Sequence, residues 1–189
     1  MTVIVIGGTP GTGKTEVARV LGSLLSVEVF SLGQLADDAG CVKAIDKARN
    51  TGVVDEDCLV DAIISLLEKK KGRLIIEGHY IDLIPSKEVE HAFILRTHPQ
   101  VLRERLKQRG YSEAKVAENV EAEVIGVCQM DALDAFDEEI VSEIDTTSLS
   151  PRETANKIVE ILNSGGDQNR IDWMEMLEQE GRLDDFLRE

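Results

Sequence analysis

The sequence predicts a three-layer α/β/α domain built on a mainly parallel central sheet, and three observations predict it. The chain opens on an unbroken β-branched run, Val3-Ile4-Val5-Ile6, that ends in glycines; such a run suits a strand buried on both faces. A helix-periodic segment follows at once, and strand–helix pairs recur along the chain, the alternation of a doubly wound sheet. Between the first strand and its helix stands Gly8-Thr9-Pro10-Gly11-Thr12-Gly13-Lys14-Thr15, which fits G-x-x-x-x-G-K-[ST] in the strand–loop–helix setting the motif requires.

The elements follow in order. Val17, Val20, Leu21, Leu24 and Leu25 recur at helical spacing from Thr15 to about Leu25, so the glycine loop sits at that helix's N-terminus. Val27 to Phe30 reads as the second strand. Ser31 to Val54 shows no clear periodic element beyond short pieces. Asp55-Glu56-Asp57 offers an acidic start for a helix carrying Leu59, Val60, Ile63, Ile64 and Leu67. Lys69-Lys70-Lys71-Gly72 closes that helix, with cations and a glycine at its C-terminal end. Arg73 to Glu77 is the third strand and His91 to Leu95 the fourth. Leu102 to Tyr111 carries helical periodicity, and Glu139 to Ile144 is a short helical or extended approach to the loop Asp145 to Ser150. Pro151 to Leu162 is a helix turning Thr154, Ile158, Ile161 and Leu162 inward, capped by Ser150 ahead of a proline at its first position.

Composition sets the bounds. At 189 residues and 42% hydrophobic content the chain can bury a core of its own, and one domain is the expectation. No apolar run approaches the roughly 18 residues of a membrane span, and Thr2 to Ile6 is too short for a signal peptide, so a soluble, cytoplasmic protein is expected. Cys41, Cys58 and Cys128 are odd in number and widely spaced, which suggests free, buried thiols rather than disulfides or zinc. A net charge of -15 argues against gripping DNA or RNA through the general surface, because that affinity rests on cations displacing counterions. A basic protein partner would suit the charge, and so would a simple need for solubility.

The glycine motif carries the strongest chemistry. Backbone N–H groups, unobstructed at Gly11 and Gly13, form an anion-binding concavity, and the helix N-terminus adds its partial positive charge. Lys14 would bridge the outer phosphates of ATP while the Thr15 hydroxyl would ligate Mg²⁺. The domain is therefore of the P-loop nucleoside-triphosphatase kind. In Leu74-Ile75-Ile76-Glu77-Gly78-His79-Tyr80 an apolar strand delivers Glu77 at the sheet edge where open α/β folds bind ligands. Glu77 could hold Mg²⁺ through water or orient an attacking water. His79 could contact phosphate or tune a proton, or be simply a polar turn residue. Arg105 and Arg109, four apart, share a helical face away from Leu102 and Leu106. Such arginines neutralise charge in phosphoryl transfer, a contact worth on the order of 10³ to 10⁵ in rate; the alternative is an ordinary solvated face.

The P-loop with Thr-Pro-Gly inside it, the strand ending Glu77-Gly78-His79, then Ile94-Leu95-Arg96-Thr97, Arg105-Leu106, Arg109-Gly110-Tyr111 and Glu118-Asn119 resemble the adenylate kinase isoenzyme 6 family, and an archaeal-type member of it. The resemblance covers about residues 1 to 162 and implies a nucleoside-monophosphate-kinase-like fold. It implies an adenylate kinase with ATPase activity that serves maturation of the small ribosomal subunit, using ATP with Mg²⁺ and AMP or ADP, and a basic small-subunit ribosomal protein as partner. It places the monophosphate-binding region at about residues 31–54, with Gly33, Gln34 and Leu35 at its start and Gly78 beside them, and the lid at about 108–118. Nucleotide contacts are implied at Gly8, Pro10, Gly11, Thr12, Gly13, Lys14, Thr15, Glu16, Arg109 and Leu149. Catalytic roles fall to Lys14, Glu77, His79, Arg105 and Arg109, and metal contacts to Thr15 and Glu77. Two features depart from the family. Leu35-Ala36 is followed by Asp37-Asp38 where an arginine is expected, and Arg49 or Lys47 from the same segment could substitute. Beyond a 1–163 domain and a 164–170 linker, the acidic amphipathic tail 171–189 carries the chain's single tryptophan. Trp173, Leu177, Phe186 and Leu187 are read there as anchors for a partner's groove, packing on the chain's own domain being the other possibility. Two further functions stand beside the kinase: an assembly ATPase without significant AMP kinase activity, and a small-molecule kinase of shikimate or cytidylate type.

Overall fold

In the computed structural model, residues 2–46, 51–165 and 169–187 are described. Five strands, β1 (Thr2–Gly7), β2 (Glu28–Ser31), β5 (Arg73–Glu77), β6 (Val89–Arg96) and β7 (Val141–Asp145), form one sheet in the order β2-β5-β1-β6-β7. Every pairing in it is parallel, so its hydrophobic strands must be covered on both faces. β1 lies at the centre, with Val5 paired to Ile76 on one side and Ala92 on the other. Its side chains alternate with the two-residue period of a strand. Val3 and Val5 join Leu74 and Ile76 in a core covered by α2 (Leu32–Asp38), α3 (Glu56–Lys69) and α6 (Val127–Ala135). Ile4 and Ile6 join Ile75, Phe93 and Leu95 on the opposite face, under α1 (Lys14–Leu25) and α7 (Pro151–Ser164). Ser150 caps α7 in a reciprocal capping box with Glu153, and Asp55 caps α3, both at the positions the sequence marks.

The structure changes some expectations and gives others their form. Residues 31–54, unreadable by periodicity, fold as α2 and an antiparallel hairpin of β3 (Val42–Asp46) and β4 (Thr51–Val54). These pieces are too short to display a period. Lys47 and Arg49 lie outside the described residues. The cysteines are not all free: Cys41 and Cys58 are joined in a disulfide, their Cα atoms 5.5 Å apart, and Cys128 alone is a buried thiol. The hairpin folds back so that Asp55 N–H donates to the Cys41 carbonyl, which brings together residues that the sequence spaces too far apart to pair on inspection. The 108–118 segment is the end of α4 (Pro99–Gln108), a short turn, and the start of α5 (Glu113–Ile125). Residues 141–145 are a strand, the fifth of the sheet.

The tail differs from expectation as well. Trp173, Leu177 and Phe186 are buried, and Leu177 and Phe186 pack with Leu102, Leu106, Val116, Val120 and Val124 of α4 and α5 in a third apolar cluster. The anchors expected to seek a partner are spent on the chain's own domain, because α4 and α5 leave between them a seam that α8 (Trp173–Gln179) and the turn after it close. Among the described residues, no helix is long and apolar enough to cross a membrane.

Candidate active site

The glycine loop crosses the top of the sheet between β1 and α1. Gly8 has φ 137°, and a Cβ there would lie 2.5 Å from the Leu95 carbonyl oxygen, so no other residue fits without moving β6. Gly13 has φ 100° but opens onto empty space, nothing lying within 4 Å of a Cβ placed there. It precedes α1, whose N-terminus has no side-chain cap. The first N–H groups of a helix lack intrahelical acceptors, and here they stand uncapped at the positive end of a helix dipole, an arrangement that receives phosphate.

Lys14 folds back over the loop, its Nζ donating to the carbonyls of Gly8 at 2.8 Å and Thr9 at 3.1 Å. Burial pushes its pKa down, a shift that nearby Cys128, Glu77 and Glu123 oppose and Arg109 reinforces. Thr15 Oγ1 donates to Glu77 Oε1 at 3.3 Å, which sets a hydroxyl and a buried carboxylate side by side where β5 meets the loop. Mg²⁺ takes oxygen ligands and commonly one or two protein groups beside substrate phosphates, and this donor pair fits it. His79 stands just beyond, its Nδ1 3.5 Å from the Cys128 sulfur. The packing around the ring and, after that, the Lys14 charge hold its pKa below the ordinary histidine value. Burial pushes the Cys128 thiol up to about 11, so this sulfur is no nucleophile at neutral pH.

On one side of the loop lies a cavity of about 480 Å³, within the ~300–1,000 Å³ of small-molecule sites. Thr9 and Pro10 form one wall, His79 and Tyr80 another, and Tyr111 and Asn119 a third, while β4 supplies Val53 and Val54. The loop, His79 and the turn after α4 meet at this cavity, with Glu77 held to the loop through Thr15. The other expected residues are placed differently. Arg105 is committed to the β7–α7 loop, donating to the carbonyls of Thr146 at 3.0 Å and Thr147 at 3.2 Å. Arg109 is exposed at the end of α4, close enough to Lys14 and Arg105 for its charge to lower both. Glu16 pairs with Arg19 on the exposed face of α1. Leu149 packs against the core under α7. Gln34 donates to Asp38 along exposed α2, Leu35 packs inward, and none of Gly33, Gln34, Leu35 and Gly78 lines the cavity. Gly78 is needed where β5 passes α2, since a Cβ there would lie 2.8 Å from Leu32 Cβ.

Beneath the loop is a buried group that residue spacing does not reveal. Arg96, at the end of β6, donates to Glu123 Oε1 at 3.0 Å and to Glu143 Oε2 at 2.8 Å, and all three side chains are buried. Glu123 Oε2 in turn accepts from Thr9 Oγ1 at 2.6 Å. The only sequence signal for this group is an arginine ending an apolar strand, in Ile94-Leu95-Arg96-Thr97.

Comparison with known proteins agrees with this geometry. The model of a family described as "AAA domain" matches residues 4–126. A protein of Methanothermobacter thermautotrophicus named "Putative adenylate kinase" is 42% identical over 161 residues, 85% of this chain and 90% of its own. One of the same name from Pyrococcus abyssi is 35% identical over 181 residues, 94% of each chain. Among solved structures, shikimate kinase from Acinetobacter baumannii in complex with shikimate superposes with a TM-score of 0.59 at 17% identity, over 87% of this chain and 94% of that one. A sugar kinase from Janibacter sp. HTCC2649 gives 0.59 at 16% identity, over 88% and 99%. At such identities these two show the fold alone, a P-loop kinase-like α/β architecture.

Proposed function

The chain belongs to the adenylate kinase-like family of these archaeal relatives, and on that premise we propose that it transfers the terminal phosphoryl group of ATP to AMP, giving two ADP. The observation that carries the proposal is the cavity of about 480 Å³ that Thr9, Pro10 and His79 line beside the loop, with Lys14 and the Thr15–Glu77 pair at the adjoining, uncapped start of α1. A donor triphosphate on the loop and an acceptor in the cavity would meet there.

The loop N–H groups and the start of α1 bind the β- and γ-phosphates of ATP. Lys14 leaves its two carbonyl partners to bridge those oxygens. Thr15 and Glu77 would hold Mg²⁺, which would supply neutralising charge at the triphosphate. The acceptor base and ribose lie against Tyr80 and Tyr111, whose rings suit a planar heterocycle. His79, held neutral, donates or accepts a hydrogen bond at the acceptor phosphate without adding charge. Arg105 shapes the β7–α7 loop beside the donor nucleotide, and Arg109 brings a cation to the developing charge as α4 and α5 close over it. Most of the rate gain then comes from alignment and water exclusion, because phosphoryl transfer needs little covalent help.

A second reading, an assembly ATPase in which water replaces AMP, is favoured by Asp37 and Asp38. Both are exposed at the end of α2, in the region expected to attract a monophosphate. Membership of the isoenzyme 6 type, with a role in small-subunit maturation and a basic ribosomal protein as partner, is supported by the resemblance and by the net charge of -15. With Trp173, Leu177 and Phe186 buried, the tail would meet such a partner chiefly through its exposed carboxylates. The test is to give the purified protein ATP and Mg²⁺, with and without AMP, and to measure ADP against free phosphate. ADP that depends on AMP, without phosphate release, establishes the kinase. Phosphate release that a basic ribosomal protein stimulates and AMP does not would replace it with the ATPase.

A further inference from the structure

The C-terminal segment and the phosphate loop grip the same carboxylate. Glu123 is 1% exposed and sits on α5, between the sheet and the tail. One of its oxygens accepts from Arg96 Nε at 3.0 Å, from the Thr97 N–H at 2.9 Å and from the Trp173 indole N–H at 3.0 Å. The other accepts from the hydroxyl of Thr9, inside the phosphate loop, at 2.6 Å. The tail enters this group a second time. Arg96 Nη1 donates to the Ile171 carbonyl at 3.1 Å, and the Ile171 N–H donates to Glu143 Oε2 at 3.1 Å. Thr9 and Trp173 are both buried, so water cannot replace these bonds when one is lost.

We propose that Glu123 and Trp173 are positioning residues for the nucleotide site, and that the docked C-terminal segment fixes the phosphate loop in its binding conformation through the chain Trp173–Glu123–Thr9. The inference rests on the reading of the loop as an ATP site. Its physical basis is the sharing of one carboxylate. With the indole N–H in place, Glu123 is held from the tail side as well as by Arg96 and Thr97, and its second oxygen is fixed toward Thr9. Without it, the carboxylate gains freedom to turn, and Thr9, whose carbonyl also receives Lys14 and Thr12, loses its anchor. Loop N–H groups that must converge on phosphate are then less well preorganised. The effect should fall on ATP affinity more than on the acceptor.

Trp173 is the chain's single tryptophan, so its emission reports on this contact without labelling. Titrating the full-length protein with a non-hydrolysable ATP analogue and Mg²⁺ should change Trp173 emission, and Thr9→Val, which still presents the loop N–H groups, should abolish that response while calorimetry still detects binding. Trp173→Phe keeps an aromatic ring in the seam, removes the indole N–H donor and gives up part of the ring's volume, a packing loss that the melting temperature reads separately. It should raise KM for ATP about five- to tenfold with KM for AMP unchanged, and the same substitution in the Thr9→Val background should add little. Thr9→Ser, which restores the hydroxyl, should return both the emission change and the wild-type KM. A purely structural tail would lower the melting temperature in Trp173→Phe and leave KM for ATP within twofold; that result, or additive effects of the two substitutions, overturns the inference. If wild-type protein shows no ATP binding by calorimetry, the phosphotransferase reading itself falls and takes the inference with it.

Discussion

Lys14 spends its ammonium on two carbonyls of its own loop, and a phosphate ligand must win it from them. Lys14→Ala removes two hydrogen bonds at the loop and one cation from the transferring phosphoryl group. Loss of a preorganised donor of this kind costs about 10² to 10³ in kcat, so we expect at least that fall in ADP formation, or in phosphate release, while circular dichroism remains that of the wild type. Retention of full activity would exclude the mechanism above. His91 shows a different side of residue chemistry. It is buried between β6 and β7 with its Nε2 2.9 Å from Ser142 Oγ, and burial pulls its pKa below the ordinary 6.5, with Glu90 opposing. The unfolded chain then binds a proton at a pH where the folded chain does not. Stability present above pH 6.5 is lost as the pH falls from there toward the folded value, with a slope of at most about 1.4 kcal/mol per pH unit. Denaturant titrations between pH 7 and 5 check this; His91→Gln, which keeps a partner for Ser142, should flatten the dependence. His79 contributes in the same direction and accounts for a slope that remains.

At the scale of elements, the boundaries the sequence marks most clearly are those with capping chemistry. Ser150 Oγ accepts from the Glu153 N–H at 3.3 Å, and the Glu153 carboxylate accepts from the Ser150 N–H at 2.8 Å. α7 covers one face of the sheet through Ala155, Ile158 and Ile161. Ser150→Ala should therefore cost about 1 kcal/mol, read as a lower denaturant midpoint with an unchanged m-value. The elements between β2 and α3 lack such signals. α2 has seven residues and no side-chain cap hydrogen bond, and β3 and β4 are joined through residues without a recognisable turn dipeptide. Ser112 caps α5, but α5 and α6 abut at Gly126, in left-handed conformation, and α6 has no side-chain cap of its own to mark its start.

The whole molecule is held by contacts between distant parts of the chain, and the disulfide tests this directly. Cys41 and Cys58, 17 residues apart, tie the hairpin to the start of α3. Closing a loop of about that length is worth ~3 kcal/mol in the chain-entropy account. Cys58→Ser should lower the midpoint of unfolding accordingly, and reductant should lower that of the wild type while leaving the variant unmoved. The same distinction divides what could be read in advance from what could not. The sequence by itself determined the parallel strands, the phosphate loop, Glu77 at the strand end and the capped helices α3 and α7, because each is written in neighbouring residues: a β-branched run, a glycine spacing, a cap followed by a period. The packed chain alone decided that Arg105 holds the β7–α7 loop, that Cys41 meets Cys58 and that Trp173, Leu177 and Phe186 of the tail are buried. It alone decided that Glu123, 27 residues from Arg96 and 114 from Thr9, joins the tail to the phosphate loop. Local backbone preference acts between neighbours and leaves its mark in sequence order. A buried carboxylate is satisfied by whichever donors the packed chain brings to it, and no spacing along the sequence records which ones those are.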